Sequence, residues 1–179
     1  GTTIISAQVA ARRIMSFAVL PITAIASSIT TFISQNFGAE QFQRIKKGVT
    51  IANLLSWVWS VLVAALLFFT SPSITSFISG STNPDLIANA SLYLQISSCF
   101  YPILASLIIL RNALQGMGKK LTPLTSSFIE LFGKIFFVLW IIPHTGYMGV
   151  ILCEPLIWIL MTLQLIIIYR KIRYQLLTE

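Results

Sequence analysis

One stretch determines how this chain is organised: Gln35-Asn36-Phe37-Gly38-Ala39-Glu40-Gln41-Phe42-Gln43-Arg44-Ile45-Lys46-Lys47-Gly48. An apolar run ends just before it, a second begins at Val49, and three cations lie between them. Because the cytoplasmic loops of membrane proteins are enriched in Lys and Arg, we predict that this stretch is a loop at the inner membrane face. The orientation of every other segment follows from this loop.

The composition is that of an integral membrane protein. The 179 residues are 56% hydrophobic and 9% charged, with mean hydropathy +0.85, whereas soluble domains carry about 25% charged residues. Several apolar runs reach the roughly 20 residues that cross a bilayer as a helix, and they are continuous rather than alternating, which excludes a β-barrel. We therefore predict an all-α fold, a polytopic membrane helix bundle that forms a single membrane domain over residues 1–179.

The net charge of +7 is explained by topology rather than by a nucleic-acid partner. The cations lie in short loops, where they orient the protein and meet anionic lipid headgroups. Cys99 and Cys153 fall inside predicted spans as small packing residues, and with His144 they are too few for a metal site or a disulfide framework. We expect no cofactor and no metal. The chain opens at Gly1 without Met and without a signal-peptide pattern, so we expect it to start within a longer protein.

Five spans are predicted, at about residues 14–33, 49–69, 90–114, 124–142 and 150–169. Most cations then fall on the inner side, and these are Arg44, Lys46, Lys47, Lys119, Lys120, Arg170, Lys171 and Arg173. Only Arg12 and Arg13 fall outside, where their long side chains are expected to snorkel to headgroups. This charge distribution predicts a multi-pass protein of the plasma or inner membrane with a cytoplasmic C-terminus.

Prolines predict where the helices bend or stop. We expect Pro21 to kink the first span and Pro72 to stop the second, leaving a short interfacial helix at 73–78. Thr122 is expected to cap the fourth helix, with Pro123 at its start and Pro143 at its end.

Two polar features leave alternatives open. Pro102 frees the carbonyl of Ser98 in the third span, which predicts either a broken helix facing a cavity or a kink satisfied by Ser hydroxyls. The hydroxyl-rich second half of the first span favours close helix packing over a wet cavity. Its hydroxylated residues are Ser27, Ser28, Thr30, Thr31 and Ser34.

Besides Arg111, three charged residues fall within the spans. Glu130 and Lys134 are one helical turn apart, so we predict that they pair and face the protein interior or a water-filled cavity, because a lone ion at this depth costs at least about 2.5–3.5 kcal/mol. The pair either joins helices or takes part in ion coupling. Glu154, just before Pro155, is expected to cap freed backbone or order its helix, with a proton relay as the alternative.

Four segments form a recognisable pattern: residues 11–21 (Ala11-Arg12-Arg13 through Leu20-Pro21), Gln35 to Ala39, Asn112 to Lys119, and Gly146 to Trp158. Together they resemble the second half of the MATE (multidrug and toxic compound extrusion) transporters, and the resemblance covers essentially the whole chain. The motif positions are Gln35, Asn36, Gly38, Gln115, Gly116 and Gly118.

The resemblance implies a function. MATE proteins have two lobes of six helices and export cationic or amphipathic drugs in exchange for H⁺ or Na⁺. The five spans resemble helices eight to twelve, which implies a partner lobe or a second chain and a drug-like substrate, with H⁺ or Na⁺ as coupling ion. Ion-coupling candidates are Glu130, Lys134 and Glu154. Substrate-cavity candidates are Tyr93, Gln95, Ser98, Tyr101 and Arg111, the last with snorkelling as its default role. The third span lacks the acid expected of the Na⁺-coupled branch.

Three other functions compete with that of a drug exporter. A lipid-linked oligosaccharide flippase of the same superfamily should carry more cavity cations than Arg111 and Lys134. A membrane-embedded enzyme needs a nucleophile, base or metal cluster, and His144 is the only histidine, so we predict no enzyme. A truncated, non-transporting remnant is the fourth possibility.

Overall fold

The computed structural model describes the backbone of residues 2–119 and 121–178 and the side chains of residues 4–119 and 121–172. Lys120 and the side chain of Arg173, both predicted on the inner side, lie outside the described residues. The helices are α1 (Thr2–Gly38), α2 (Phe42–Ser79), α3 (Pro84–Ser98), α4 (Tyr101–Gly116), α5 (Leu121–Phe136), α6 (Ile142–Thr145) and α7 (Tyr147–Thr178), with a π-helical segment at Phe137–Ile141. The all-α prediction is confirmed.

Four helical segments are long and apolar enough to cross a membrane: Ile4–Gly38, Phe42–Ser79, Leu121–Thr145 and Tyr147–Ile172. The pair α3 and α4, bent by 58°, makes a fifth if it is counted as one span. About five spans are therefore confirmed, and each predicted span lies within one of these helical segments, while the residues at which the chain enters and leaves the bilayer stay predictions. The helices are longer because backbone hydrogen bonding continues into polar residues beyond each apolar run. The plasma-membrane location and the cytoplasmic C-terminus stay predictions.

The predicted loop over residues 35–48 is wrong, since only residues 39–41 lie between α1 and α2. The end of α1 closes in two backbone hydrogen bonds, from Gln41 N to Asn36 O at 2.8 Å and from Glu40 N to Phe37 O at 3.2 Å. This is a Schellman motif, whose central residue adopts left-handed backbone angles. Glu40 takes that position with φ of 56°, so the motif glycine at position 38 is not the left-handed residue.

The end of α4 repeats the same closure. Lys119 N donates to Leu114 O and Gly118 N donates to Gln115 O, both at 2.9 Å. Here the left-handed residue is Gly118, with φ of +75°, which is the residue type that this conformation favours. Two of the motif segments thus end helices by one shared backbone geometry.

Helices α1 and α2 continue through internal prolines. In α2, a side chain from another helix replaces the backbone hydrogen bond that the proline removes. The predicted stop at Pro72 is wrong, because α2 continues to Ser79 and no separate helix forms at 73–78. Pro72 leaves the carbonyl of Phe68 without its helical donor, and Gln95 Nε2 donates to that oxygen at 3.1 Å. Pro21 also lies inside its helix and frees the carbonyl of Phe17. Trp59 Nε1 donates to the neighbouring Ala18 O at 2.8 Å, so this bond does not replace the one that Pro21 removes.

The other proline predictions have mixed outcomes. The third span is broken between Ser98 and Tyr101, just before Pro102, so the predicted break is confirmed, while the cavity predicted beside it stays a prediction. Ser98 Oγ donates to the Gln95 carbonyl at 3.0 Å. Pro143 does not end the fourth span, because the π-helical segment precedes it and helix continues to Thr145. Thr122 is not a cap, since α5 begins one residue earlier.

The core lies around α4, which packs against α1, α2, α5 and α7. Its closest approach is to α1, where a Cβ added at Gly116 would lie 2.8 Å from the backbone oxygen of Thr30. Beside it, Thr30 Oγ1 donates to Asn112 Oδ1 at 3.0 Å. A small residue is required here because two backbones meet, which is the packing mode of helices in lipid.

We predict that Gly116→Ala destabilises the full-length protein by about 1–3 kcal/mol through overpacking. Gly38→Ala is the matched control, because no atom lies within 4 Å of its added Cβ. The measurement is the thermal unfolding midpoint in detergent. Equal midpoints for the two variants would show that the α1–α4 contact is looser than described.

Candidate functional site

A charged cluster connects three helices inside the bundle. Arg12 on α1 donates from Nη2 to Glu154 Oε1 on α7 at 3.0 Å, and Tyr93 on α3 donates from its hydroxyl to Glu154 Oε2 at 2.8 Å. Both carboxylate oxygens are therefore engaged by different helices. Hydrogen bonds to a charged group are among the stronger ones in proteins, so this cluster sets the relative positions of α1, α3 and α7.

The cluster lies well inside the helix ends. Arg12 is ten residues along α1, Tyr93 nine along α3 and Glu154 seven along α7, which places them roughly 10–15 Å from those ends at about 1.5 Å per residue. The backbone cap predicted for Glu154 is wrong, because its two carboxylate oxygens bond side chains of α1 and α3, whereas the snorkelling of Arg12 stays a prediction. The guanidinium and the carboxylate lie at similar depth, where pairing lowers the cost of each charge. Snorkelling of Arg13 stays a prediction.

The ion pair borders an open groove of about 440 Å³. The lining residues come from α1, α4 and α7: Arg12, Met15, Ser16, Val19, Leu20, Thr23, Leu104 and Glu154. The Glu154 side chain is 14% exposed and that of Arg12 is 58% exposed. The carboxylate is thus mostly enclosed, while the guanidinium faces the open side of the groove.

A hydroxyl-bearing face of α1 continues from this groove toward the other end of the helix. Ser16, Thr23, Ser27 and Ser34 are all exposed, and each donates to a backbone carbonyl three or four residues earlier. Their hydroxyls keep lone pairs for another partner. Close helix packing was predicted for Ser27, Ser28, Thr30, Thr31 and Ser34, and among these a hydrogen bond to another helix is described for Thr30, which bonds Asn112 on α4.

The predicted pair on α5 is confirmed, with Lys134 Nζ 2.6 Å from Glu130 Oε1. Its side chains are 43% and 39% exposed, and α5 buries only Pro123 and Ser126 among its residues. No other part of the described chain encloses the pair, so an inward or cavity-facing position for it stays a prediction.

The substrate-cavity candidates lie mostly within the lobe. Tyr93, Ser98 and Tyr101 are at most 1% exposed, and Gln95 bonds the carbonyl near Pro72 as described above. Arg111 Nη2 donates to Ser127 Oγ on α5 at 2.7 Å, and its contact with headgroups stays a prediction. Cavity-lining roles for these residues stay predictions without support from this lobe.

Sequence reasoning missed Arg12 and the hydroxyl-bearing face of α1. A signal was present, because Arg12, Ser16, Thr23, Ser27 and Ser34 recur at intervals of three, four or seven residues, which place them on one helix face. The sequence also places an acid, Glu154, and a cation, Arg12, at similar predicted depth near two different spans, so that they could have been predicted to pair.

A bundle arranged in this way is a multi-pass membrane protein built like one lobe of a transporter. Comparison with known proteins is more specific. The MatE family model matches residues 1–140, and the chain belongs to the MatE family. The resemblance to MATE transporters is therefore confirmed, and family membership supports a role in transport rather than enzymatic catalysis.

A curated protein and a solved structure are similar to this chain. A protein of Shewanella oneidensis named FAD transporter is 29% identical over 157 residues, covering 85% of this chain and 33% of that protein. A solved structure of a multidrug resistance MATE family transporter of the MOP superfamily, in an inward-facing conformation, matches with a TM-score of 0.82 and 15% identity over 94% of this chain and 39% of that chain. The likeness to the solved structure, at 15% identity, shows that the chain has the fold of that transporter over the matched part. The chain spans 33% of the length of the curated relative.

We predict that Glu154→Gln destabilises the full-length protein by about 1.5–3 kcal/mol, the range for hydrogen bonds to charged groups. Glu130→Gln is the control, because its partner is one turn away on the same helix and such exposed pairs contribute about 0.3–0.5 kcal/mol. Thermal unfolding in detergent measures both. A larger loss in the control would contradict the assigned role of Glu154 in joining the helices.

Proposed function

We propose that this chain is part of the second lobe of an antiporter that exports amphipathic or cationic organic compounds across the cell membrane in exchange for H⁺ or Na⁺, a multidrug efflux function. The supporting observation is the groove beside Arg12 and Glu154, which continues into the hydroxyl-bearing face of α1. A substrate would pass along this face, with the other lobe or a second chain forming the opposite wall.

The exposure of Arg12 supports a polar surrounding for that face. A charged side chain surrounded by acyl chains is costly, and the Arg12 side chain is 58% exposed within this chain. Water or another protein surface next to α1 removes that cost. Binding between two lobes near the membrane midplane is common in transporters.

Glu154 is the proposed coupling group. When it is ionised, its two oxygens hold Arg12 and Tyr93. Proton uptake removes the negative charge, so Arg12 loses its electrostatic partner and is free to contact the groove. The substrate and the proton then compete for the same state of the cluster of Arg12, Tyr93 and Glu154. Such competition is what the exchange of a substrate for an ion requires. Glu130 and Lys134 are the second candidate pair, but they do not line this groove.

FAD or a related anionic dinucleotide is the second candidate substrate. The relative from Shewanella oneidensis carries that name, and the groove exposes a guanidinium, which binds phosphate in a bidentate fashion. A flippase for pyrophosphate-linked sugars is less well supported, because Arg12 is the one cation among the described residues that line the groove. The full-length coding sequence distinguishes all of these from a truncated remnant.

The test is transport by the full-length protein in proteoliposomes under an imposed H⁺ or Na⁺ gradient, with ethidium and FAD as alternative substrates. We expect exchange driven by one of the ions, with at least a tenfold loss in Glu154→Gln. Unchanged transport by Glu154→Gln would remove this residue from coupling. Glu130→Gln, measured alongside, decides whether the second pair takes part.

We also predict that Ser27→Trp lowers the transport rate at least tenfold, because the indole would block the hydroxyl-bearing face of α1. Leu62→Trp is the control, since Leu62 is an exposed apolar residue of α2 that lines none of the grooves described here. Protein amounts in the membrane are measured for both variants. Equal transport by the two would place the substrate path elsewhere.

A further inference from the structure

A second groove lies on the bundle between α2, α4 and α7, at the end opposite the charged cluster. It has a volume of about 370 Å³ and is lined by Lys46, Val49, Thr50, Asn53, Leu54, Trp57, Ser106, Leu110, Ile166, Tyr169 and Arg170. The helix α4 packs against both α2 and α7, so its residues form the floor and the other two helices form the walls.

The charges of this groove are all of one sign and lie at one end. Lys46 is near the start of α2 and Arg170 is in the last third of α7, and these helices run in opposite directions through the bundle. Both cations are exposed. Neither forms an ion pair within the described part of the chain, and no Asp or Glu lines the groove. This end therefore favours an anionic group.

The rest of the groove is mostly apolar, with Thr50, Asn53 and Tyr169 among its lining residues, and it has the length of one lipid leaflet. Lys46 and Trp57 are eleven residues apart on α2, a distance of about 16 Å along the helix. Half of the hydrocarbon core of a bilayer is about 15 Å thick. At the far end the polar groups are already paired, since Trp57 Nε1 donates to Ser106 Oγ at 2.7 Å and Ser106 Oγ donates to Pro102 O at 3.0 Å.

We propose that this groove binds one anionic phospholipid, whose phosphate contacts Lys46 and Arg170 while an acyl chain lies along the groove toward Trp57. Basic pockets between membrane helices are suited to anionic headgroups. The apolar floor and walls exclude a free phosphate as the main ligand, because most of the groove surface would then stay unfilled. The site lies on the side of the bundle where the other loop cations cluster, so the lipid belongs to that leaflet.

The first test compares two double variants of the full-length protein by native mass spectrometry with added phosphatidylglycerol or phosphatidylcholine. Lys46→Gln with Arg170→Gln removes the two groove cations. Lys119→Gln with Lys171→Gln removes two exposed cations that do not line the groove. We expect phosphatidylglycerol binding to weaken about thirtyfold in the first variant, or about fivefold per cation, and less than twofold in the second. Equal losses, or no preference for phosphatidylglycerol over phosphatidylcholine in the unaltered protein, would overturn the proposal.

The second test examines the apolar part of the groove. Thr50→Phe keeps both cations and fills the space beside them, and Thr50 is exposed, so folding should be retained. Gln43→Phe is the control, on an exposed position of α2 outside the groove. We expect phosphatidylglycerol binding to fall at least fivefold in Thr50→Phe alone. Unchanged binding would show that only the surface charges attract the lipid.

A third measurement identifies any other occupant. In a variant with Cys99→Ala and Cys153→Ala, Thr50→Cys is labelled with a maleimide in detergent. We expect rapid labelling without lipid and at least fivefold protection by phosphatidylglycerol. If the thiol is unreactive before lipid is added, another segment of the full-length protein fills the groove, and the proposal is wrong.

Discussion

Polar groups at membrane depth must find partners inside the protein, because the hydrocarbon offers none. This lobe meets the requirement by bonding between helices. Glu154 holds Arg12 and Tyr93, and Gln95 bonds the carbonyl that Pro72 leaves open. Burial of apolar surface does not distinguish one helix arrangement from another in lipid, so these bonds and the close contact at Gly116 specify how the helices are placed.

The break between α3 and α4 is one place where this requirement is not fully met. The hydroxyl of Tyr101, directly after the break, is buried without a hydrogen-bond partner among the described residues. A buried hydroxyl without a partner costs about 1–3 kcal/mol. Part of that cost is recoverable in another arrangement of the two helices, or with another lobe against them. The bend of 58° is therefore a place where the lobe has an energetic reason to rearrange.

The sequence was sufficient for features that depend on local spacing. Apolar runs predicted five spans, and the spacing of Glu130 and Lys134 predicted their bond. It was not sufficient where the deciding partner is distant. Arg12 and Glu154 are 142 positions apart, so each was interpreted alone and given a local role. Pro72 ends a helix by local rules, but a side chain from α3 replaces the lost bond. At the end of α1, Glu40 rather than the motif residue Gly38 adopts the left-handed backbone, which local residue type does not predict.

The pairing of Arg12 with Glu154 also determines how this region responds to the membrane potential. Two opposite charges that move together through the membrane cross the field with no net electrical work. A lone guanidinium that moved through the whole field would instead involve about 2.3 kcal/mol per 100 mV. While the ion pair of Arg12 and Glu154 stays intact, movement of α1 and α7 therefore carries no net charge of this cluster through the membrane potential.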